Sequence, residues 1–432
     1  MARNTLTLFL GLLLIVAAVP VLGAPNADGN LSAMETLGQK IYFDKLLSSP
    51  PGVACADCHA PLSGWTGPVP GINKAGAVYP GAVHQRAGNR KPPSAAYATP
   101  SPLFDFDGEL FFGGNFWDGR ATGWVLGNPA ADQAMGPFLN PVEQNNADSW
   151  AVVGQICRST YADLFVTEFQ NSFPGVDPCD PANVDTAYGF VATAIATFEN
   201  SAQVNPFSSK YDAYLAGDVD LSDQEQLGLD LFEGKAKCSG CHLSQPDPNG
   251  GPPLFTDFTF DNLGVPINPD NPFYRMDQVF LPDGSAINPL GSAWVDLGLG
   301  NFLRNLAAGD AWRSDPFVTQ ALLDMTSEEL SALAPLNDGK QKVPTLRNVD
   351  LRPGRGFAKA YMHNGVFKSL KEVVHFYNAR DAMIAAGTVV PEVSANMNTS
   401  ELGNLGLTPE EEDAIVVFMK TLSDGYRVIG RK

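Results

Sequence analysis

Two stretches of the chain carry the same pattern of apolar and polar positions, offset by 190 residues. Ser32, Glu35, Leu37, Gly38, Ile41 and Tyr42 are matched by Ser222, Glu225, Leu227, Gly228, Leu231 and Phe232. Each copy opens with S-x-x-E, whose side chains can satisfy the free N–H groups at a helix start. Apolar residues four apart follow, which line one helical face, so each copy predicts an amphipathic helix. Val191, Ile195 and Phe198 share a face of a further helix over 186–199. Thr408-Pro409-Glu410-Glu411 opens another, with Pro at the first helical position and Ile415, Phe418, Met419 and Leu422 as its stripe. The stretches 61–102 and 244–300 are crowded with chain breakers and predict long loops. Strand-like alternation is scarce. The expectation is a mainly α chain of two related halves, 24–217 and 218–432, meeting near Gly217–Leu221.

A short motif follows each repeated helix. Cys55-Ala56-Asp57-Cys58-His59 and Cys238-Ser239-Gly240-Cys241-His242 both read C-x-x-C-H, the attachment signature of c-type haem. The two thiols add across the haem vinyl groups while the adjacent imidazole reaches the iron. One copy could be chance or a zinc half-site. Two copies favour two covalent haems, because disulfide or zinc loops leave both adjacent histidines unexplained. Arg3 followed by an apolar run from Leu6 to Leu22 reads as a secretory signal peptide over residues 1–23. A run this short fits a membrane anchor less well. The expected location is therefore the periplasm or the cell surface. Cys157 and Cys179 are left over by the haem motifs and are expected to pair in that oxidising setting, the alternative being two buried thiols. The formal net charge of −19 disfavours nucleic acid and anionic membrane as partners and favours solubility.

Three further motifs stand in fixed order with the haem motifs. They are Phe116-Trp117-Asp118-Gly119-Arg120, Val343-Pro344-Thr345-Leu346-Arg347-Asn348 and Tyr361-Met362-His363-Asn364-Gly365. Together, and over nearly the whole mature chain, they resemble the bacterial di-haem cytochrome c peroxidase/MauG superfamily. The resemblance implies two cytochrome-c-like haem domains facing an interface. It implies a hydrogen-peroxide-reactive haem on His59 and an electron-relaying haem on His242. It places Gln133 and Glu143 over the open face of the first haem, where a carboxylate can shuttle the proton that O–O cleavage needs and an amide can orient peroxide. It places Trp117 between the haems; a packed core aromatic is the plainer reading, and both can hold. The Trp117–Gln133 spacing is about six residues longer than the family pattern.

The resemblance extends less evenly to other positions. His84 is a candidate distal ligand of the first haem, with a surface loop histidine as the alternative. The stretch after it, Gly88-Asn89-Arg90-Lys91-Pro92-Pro93, is out of register with the family by one residue. Lys91 stands where the family uses an asparagine for calcium. Asn89 and the carbonyls of Ala358 and Ala360 could hold one calcium ion instead. Tyr377 lies 14 residues after His363, where peroxidases of the family carry methionine and MauG-like members carry tyrosine. This implies Tyr377 as the second ligand of the His242 haem iron, and an anionic phenolate would lower that haem's potential. Met362 and Met383 are rival ligands, while His375 would face the other side of the helix. The expected function is MauG-like oxidation, by hydrogen peroxide and through high-valent haem, of an aromatic residue in a partner protein. The alternatives are a conventional peroxidase fed by a small electron-donor protein, and a non-catalytic di-haem electron carrier. Gln133 and Glu143 argue against the last.

Overall fold

A computed structural model describes residues 30–247 and 250–428. The expected signal peptide, residues 1–23, lies outside the described residues. Both repeated stretches are helices, Ala33–Tyr42 and Asp223–Glu233. Their starts are closed as the pattern requires. Glu35 N donates to Ser32 Oγ at 3.2 Å and Ser32 N donates to Glu35 Oε2 at 2.6 Å. The same two bonds in the second copy measure 3.4 and 2.7 Å.

Each repeated helix packs on a later one. Ala33–Tyr42 meets Val184–Glu199, and Asp223–Glu233 meets Pro409–Lys420. Glycine makes the approach possible. A Cβ at Gly38 would lie 1.9 Å from the Ala194 carbonyl oxygen, and one at Gly228 would lie 2.1 Å from that of Ala414. Phe198 and Phe418 sit beside these contacts in turn. The repeat therefore includes a second helix, but with Ala194 matching Ala414 its offset is 220 residues rather than 190. The loops between the two helices differ in length and hide it from a fixed-offset comparison. The copies also differ in burial, since Leu37 is 0% exposed and Leu227 is 47% exposed. The helix Ala162–Ser172, carrying Phe165 and Phe169, packs over the first copy.

Each half holds its own apolar core. One is built on Leu37, Ile41, Val191 and Phe198, the other on Phe232, Phe255, Ile415 and Phe418. A third core joins the halves, with Phe104, Phe111 and Trp124 packed against Phe260, Leu303 and Leu330. It draws on the helices Leu299–Ala307 and Ser327–Leu333, for which the sequence pattern made no assignment. Arg90 adds a polar tie. Its guanidinium grips both oxygens of Asp296 at 2.6 Å and Asp118 at 2.7 Å, and both carboxylates are buried. Among the described residues each strand is two residues long, so the fold is mainly helical as expected. Cys157 and Cys179 are joined as a disulfide. No described helix is long and apolar enough to cross a membrane.

Candidate functional site

The first C-x-x-C-H stretch forms the helical turn Cys55–Cys58. The Asp57 carboxylate accepts from Ala54 N at 2.9 Å, and His59 N closes the turn onto Cys55 O at 2.9 Å. The second stretch forms a tighter turn, Cys238–Gly240, closed by His242 N on Cys238 O at 2.9 Å. All four motif thiols are unpaired. Each imidazole is held the same way. His59 Nδ1 donates to Pro93 O at 2.9 Å, and His242 Nδ1 donates to Phe255 O at 2.8 Å. That choice of tautomer leaves Nε2 with a free lone pair, the arrangement that orients a histidine toward a metal. Burial pulls the His59 imidazole down to about 4 and lowers that of His242. Both rings are thus neutral, the form that ligates iron.

Each turn opens on its own cavity. Cys55, Cys58, His59, Gln133 and Glu143 line the first; Cys238, Cys241, His242 and Tyr377 line the second. Trp117 and Gln133 line both, so the indole stands in the wall between them. Trp117 is 9% exposed and its Nε1 donates to Lys91 O at 2.9 Å, which fixes the ring plane. Gln133 projects from the helix Pro129–Leu139, whose start is capped by Asn128 Oδ1 accepting from Ala130 N at 2.8 Å. Glu143 lies just beyond that helix, where Asn140 Nδ2 donates to its Oε2 at 2.7 Å. Burial raises the Glu143 carboxyl, while the Arg120 charge and the Asn140 bond oppose the rise. Tyr377 lies on the helix Leu370–Ala385. Its hydroxyl makes no hydrogen bond among the described residues, and burial pushes it well above the usual phenol range.

Other candidates do not join these groups. His84 is exposed and lines neither cavity. His375 is exposed and its Nδ1 pairs with Glu412 Oε1 at 2.9 Å. Met383 packs in an apolar cluster with Phe376 and Val389, whereas Met362 lines the second cavity. The structure also brings in groups to which the sequence assigned no role in a cavity. His363 Nε2 is buried without a hydrogen bond at the second cavity, 3.9 Å from Asp296 and 3.8 Å from Glu392. Glu199, at the end of its helix, lines the first cavity, and burial raises its carboxyl to about 8. These residues are far apart in the chain, and the sequence marked His363 only within a motif and Glu199 only as the end of the helix expected over 186–199.

Two thiol–imidazole turns, each on its own cavity and sharing an indole wall, suit a di-haem c-type cytochrome. Comparisons narrow this class. Residues 32–220 match the family model for di-haem cytochrome c peroxidase. The chain is 31% identical to the methylamine utilization protein MauG of Paracoccus denitrificans, over 95% of this chain and 93% of that protein. It is 28% identical to cytochrome-c peroxidase IdrP1 of Denitromonas iodatirespirans, over 92% of this chain and 83% of that one. The crystal structure of the diheme peroxidase BthA from Burkholderia thailandensis superposes with a TM-score of 0.67 at 26% identity, covering 94% of this chain and 87% of that one. The chain belongs to the di-haem cytochrome c peroxidase/MauG family and is an oxidoreductase with two haem cofactors.

Proposed function

We propose that this chain is an exported di-haem peroxidase working in the MauG-like manner. Cys55, Cys58 and His59 would hold the haem that serves hydrogen peroxide, and the two electrons required would come from an aromatic side chain of a partner protein. The observation that carries this reading is Tyr377, which lines the same cavity as His242 and its two thiols and whose hydroxyl has no hydrogen-bond partner among the described residues. When bound, and tethered through Cys55, Cys58, Cys238 and Cys241, the haems supply the iron at which peroxide and electrons meet.

The chain's own residues do the rest. Reducing one peroxide to two waters takes two protons and two electrons. Glu143 Oε2 is held by Asn140, so Oε1 is the atom that takes a proton from one peroxide oxygen and delivers it to the other. Gln133 orients the peroxide without changing the charge of the pocket. Trp117 bridges the cavities, so an electron crossing between them meets an oxidisable ring. A Tyr377 phenolate on the second iron would favour its ferric state, whereas thioether ligation would raise its potential. A second reading, a conventional cytochrome c peroxidase, is favoured by Met362, which lines the same cavity and offers a thioether.

Redox titration and electron paramagnetic resonance of wild type and Tyr377→Met decide between them. The wild-type second haem is expected to titrate low. Tyr377→Met is expected to raise its potential and to increase turnover with reduced cytochrome c. A wild-type second haem already at the high potential typical of His/Met ligation would put the conventional peroxidase first.

A further inference from the structure

Two lysines are buried where the halves of the molecule meet. Lys91 is 9% exposed and Lys359 is 4% exposed, and both line the second cavity. Lys91 also lines the first. Each ammonium meets only neutral oxygens. Lys91 Nζ donates to Thr66 Oγ1 and Pro92 O, both at 3.0 Å. Lys359 Nζ donates to Asn348 O at 2.8 Å and Leu351 O at 2.9 Å. Neither lysine forms an ion pair among the described residues. The Gly64–Thr66 segment runs between them, with Thr66 bonded to one ammonium. A Cβ at Gly64 would lie 2.9 Å from the other, so a glycine leaves the room that ammonium needs. Lys91 is tied to both halves through its backbone, its N–H donating to His363 O at 2.8 Å and its carbonyl accepting from Trp117.

Isolated buried charges are expensive, by several kcal/mol each, unless an opposite charge and hydrogen bonds compensate them. Burial lowers the Lys91 ammonium to about 8; burial and the nearby Lys91 charge lower Lys359 well below the usual lysine range, with Asp350 opposing. These two ammonium groups thus stand at the cavities without an ion pair of their own, since Asp350, the carboxylate that acts on Lys359, is itself paired with Arg352. The anions that complete the site must arrive with its occupants, and each haem carries two propionate carboxylates.

The expected calcium site does not fit these surroundings. Calcium takes six to eight oxygen ligands, usually including carboxylates. Here the Ala358 carbonyl already accepts from Asn73 Nδ2 at 3.0 Å, and the charged side chains within two residues of the expected ligands include the ammonium groups of Lys91 and Lys359.

We propose that Lys91 and Lys359 together form a built-in double positive charge between the haems, which neutralises haem propionates and takes the place of a divalent ion. The proposal rests on the two-haem reading and on neither account of the reaction. Its consequence is a holoprotein whose domain interface and haem potentials do not depend on calcium.

The test uses the purified holoprotein, with haem content measured in the same samples so that loss of haem is separated from loss of charge. Metal analysis should find far less than one calcium per chain, and dialysis against a calcium chelator should leave haem spectra and reduction potentials unchanged. Removing one charge in Lys91→Met or Lys359→Met should shift at least one haem's reduction equilibrium tenfold or more toward the ferric state, ~59 mV for a one-electron couple. Lys91→Arg and Lys359→Arg, which keep the charge, should shift it less. The proposal is overturned by stoichiometric calcium whose removal alters the haem spectra and whose return restores them. It is overturned equally if the methionine variants hold both haems at wild-type potentials. Should those variants fail to fold, the chelation result on wild type still decides.

Discussion

At Glu143, burial and two polar neighbours act in opposite directions. Burial favours the protonated carboxyl, while Arg120 and Asn140 favour the carboxylate. A group balanced in this way can both take and release a proton, which is what an acid–base shuttle needs. Glu143→Gln keeps the shape and the amide contact but removes the titrating oxygen. It is expected to slow the first reaction with peroxide by ~100-fold or more, with haem spectra barely changed. Stopped-flow spectra of wild type and variant at equal haem content check this, and unaltered kinetics would remove Glu143 from the mechanism. The same physical reasoning separates His59 and His242 from His84 and His375. The first two are half-buried with Nδ1 committed to a carbonyl, while the other two are exposed.

Among the elements, the two crossed helix pairs are the most exacting feature. Gly38 and Gly228 let one backbone touch another, and no rotamer change can make room for a Cβ against a carbonyl. Gly38→Ala and Gly228→Ala are each expected to destabilise the protein by about 3 kcal/mol, the upper part of the usual range for forcing extra atoms into a packed contact. Alanine favours helix over glycine by about 1 kcal/mol, so the steric effect must exceed that gain to be seen. Chemical denaturation of the haem-loaded variants measures the outcome. Gly175→Ala makes a poor control, since its φ of 79° is itself unfavourable to alanine. Gly71→Ala, with nothing near its added Cβ, is the better one and should cost far less.

For the molecule as a whole, the paired motifs and paired cavities require a fixed stoichiometry. A pyridine haemochrome assay against protein mass should give two haems per chain, both resisting extraction by acid acetone. A ratio near one, or extractable haem, would reject covalent attachment at both turns. The two cavities share Trp117, Lys91 and Gln133, and the halves share the Phe104–Leu303 core and the Arg90–Asp296 pair. Communication between the haems is therefore a property of the assembled molecule, because the residues lining both cavities come from the first half while the second haem motif comes from the other.

Much of this architecture is local and could be read in advance. Capping boxes, the 190-residue repeat and the two C-x-x-C-H turns depend on neighbours within a few residues, where spacing fixes geometry. The left-over cysteines were likewise legible, because only two remained outside the haem motifs. The resemblance placed Trp117, Gln133, Glu143 and Tyr377 near haem positions, and folding gathers them around the two cavities while leaving His84 on the surface. The third core had no such signal, and although Asp118, His363 and Lys91 stood in or beside family motifs, nothing there foretold the Asp118–Arg90–Asp296 network, the His363 nitrogen without a hydrogen bond or the pairing of Lys91 with Lys359. Each joins residues from distant parts of the chain, and a buried lysine looks like a surface lysine until the fold removes its water. Sequence alone determined where the haem motifs and capped helices lie; only tertiary packing decided which charges would be buried together, because desolvation depends on everything that surrounds a group and not on its neighbours in the chain.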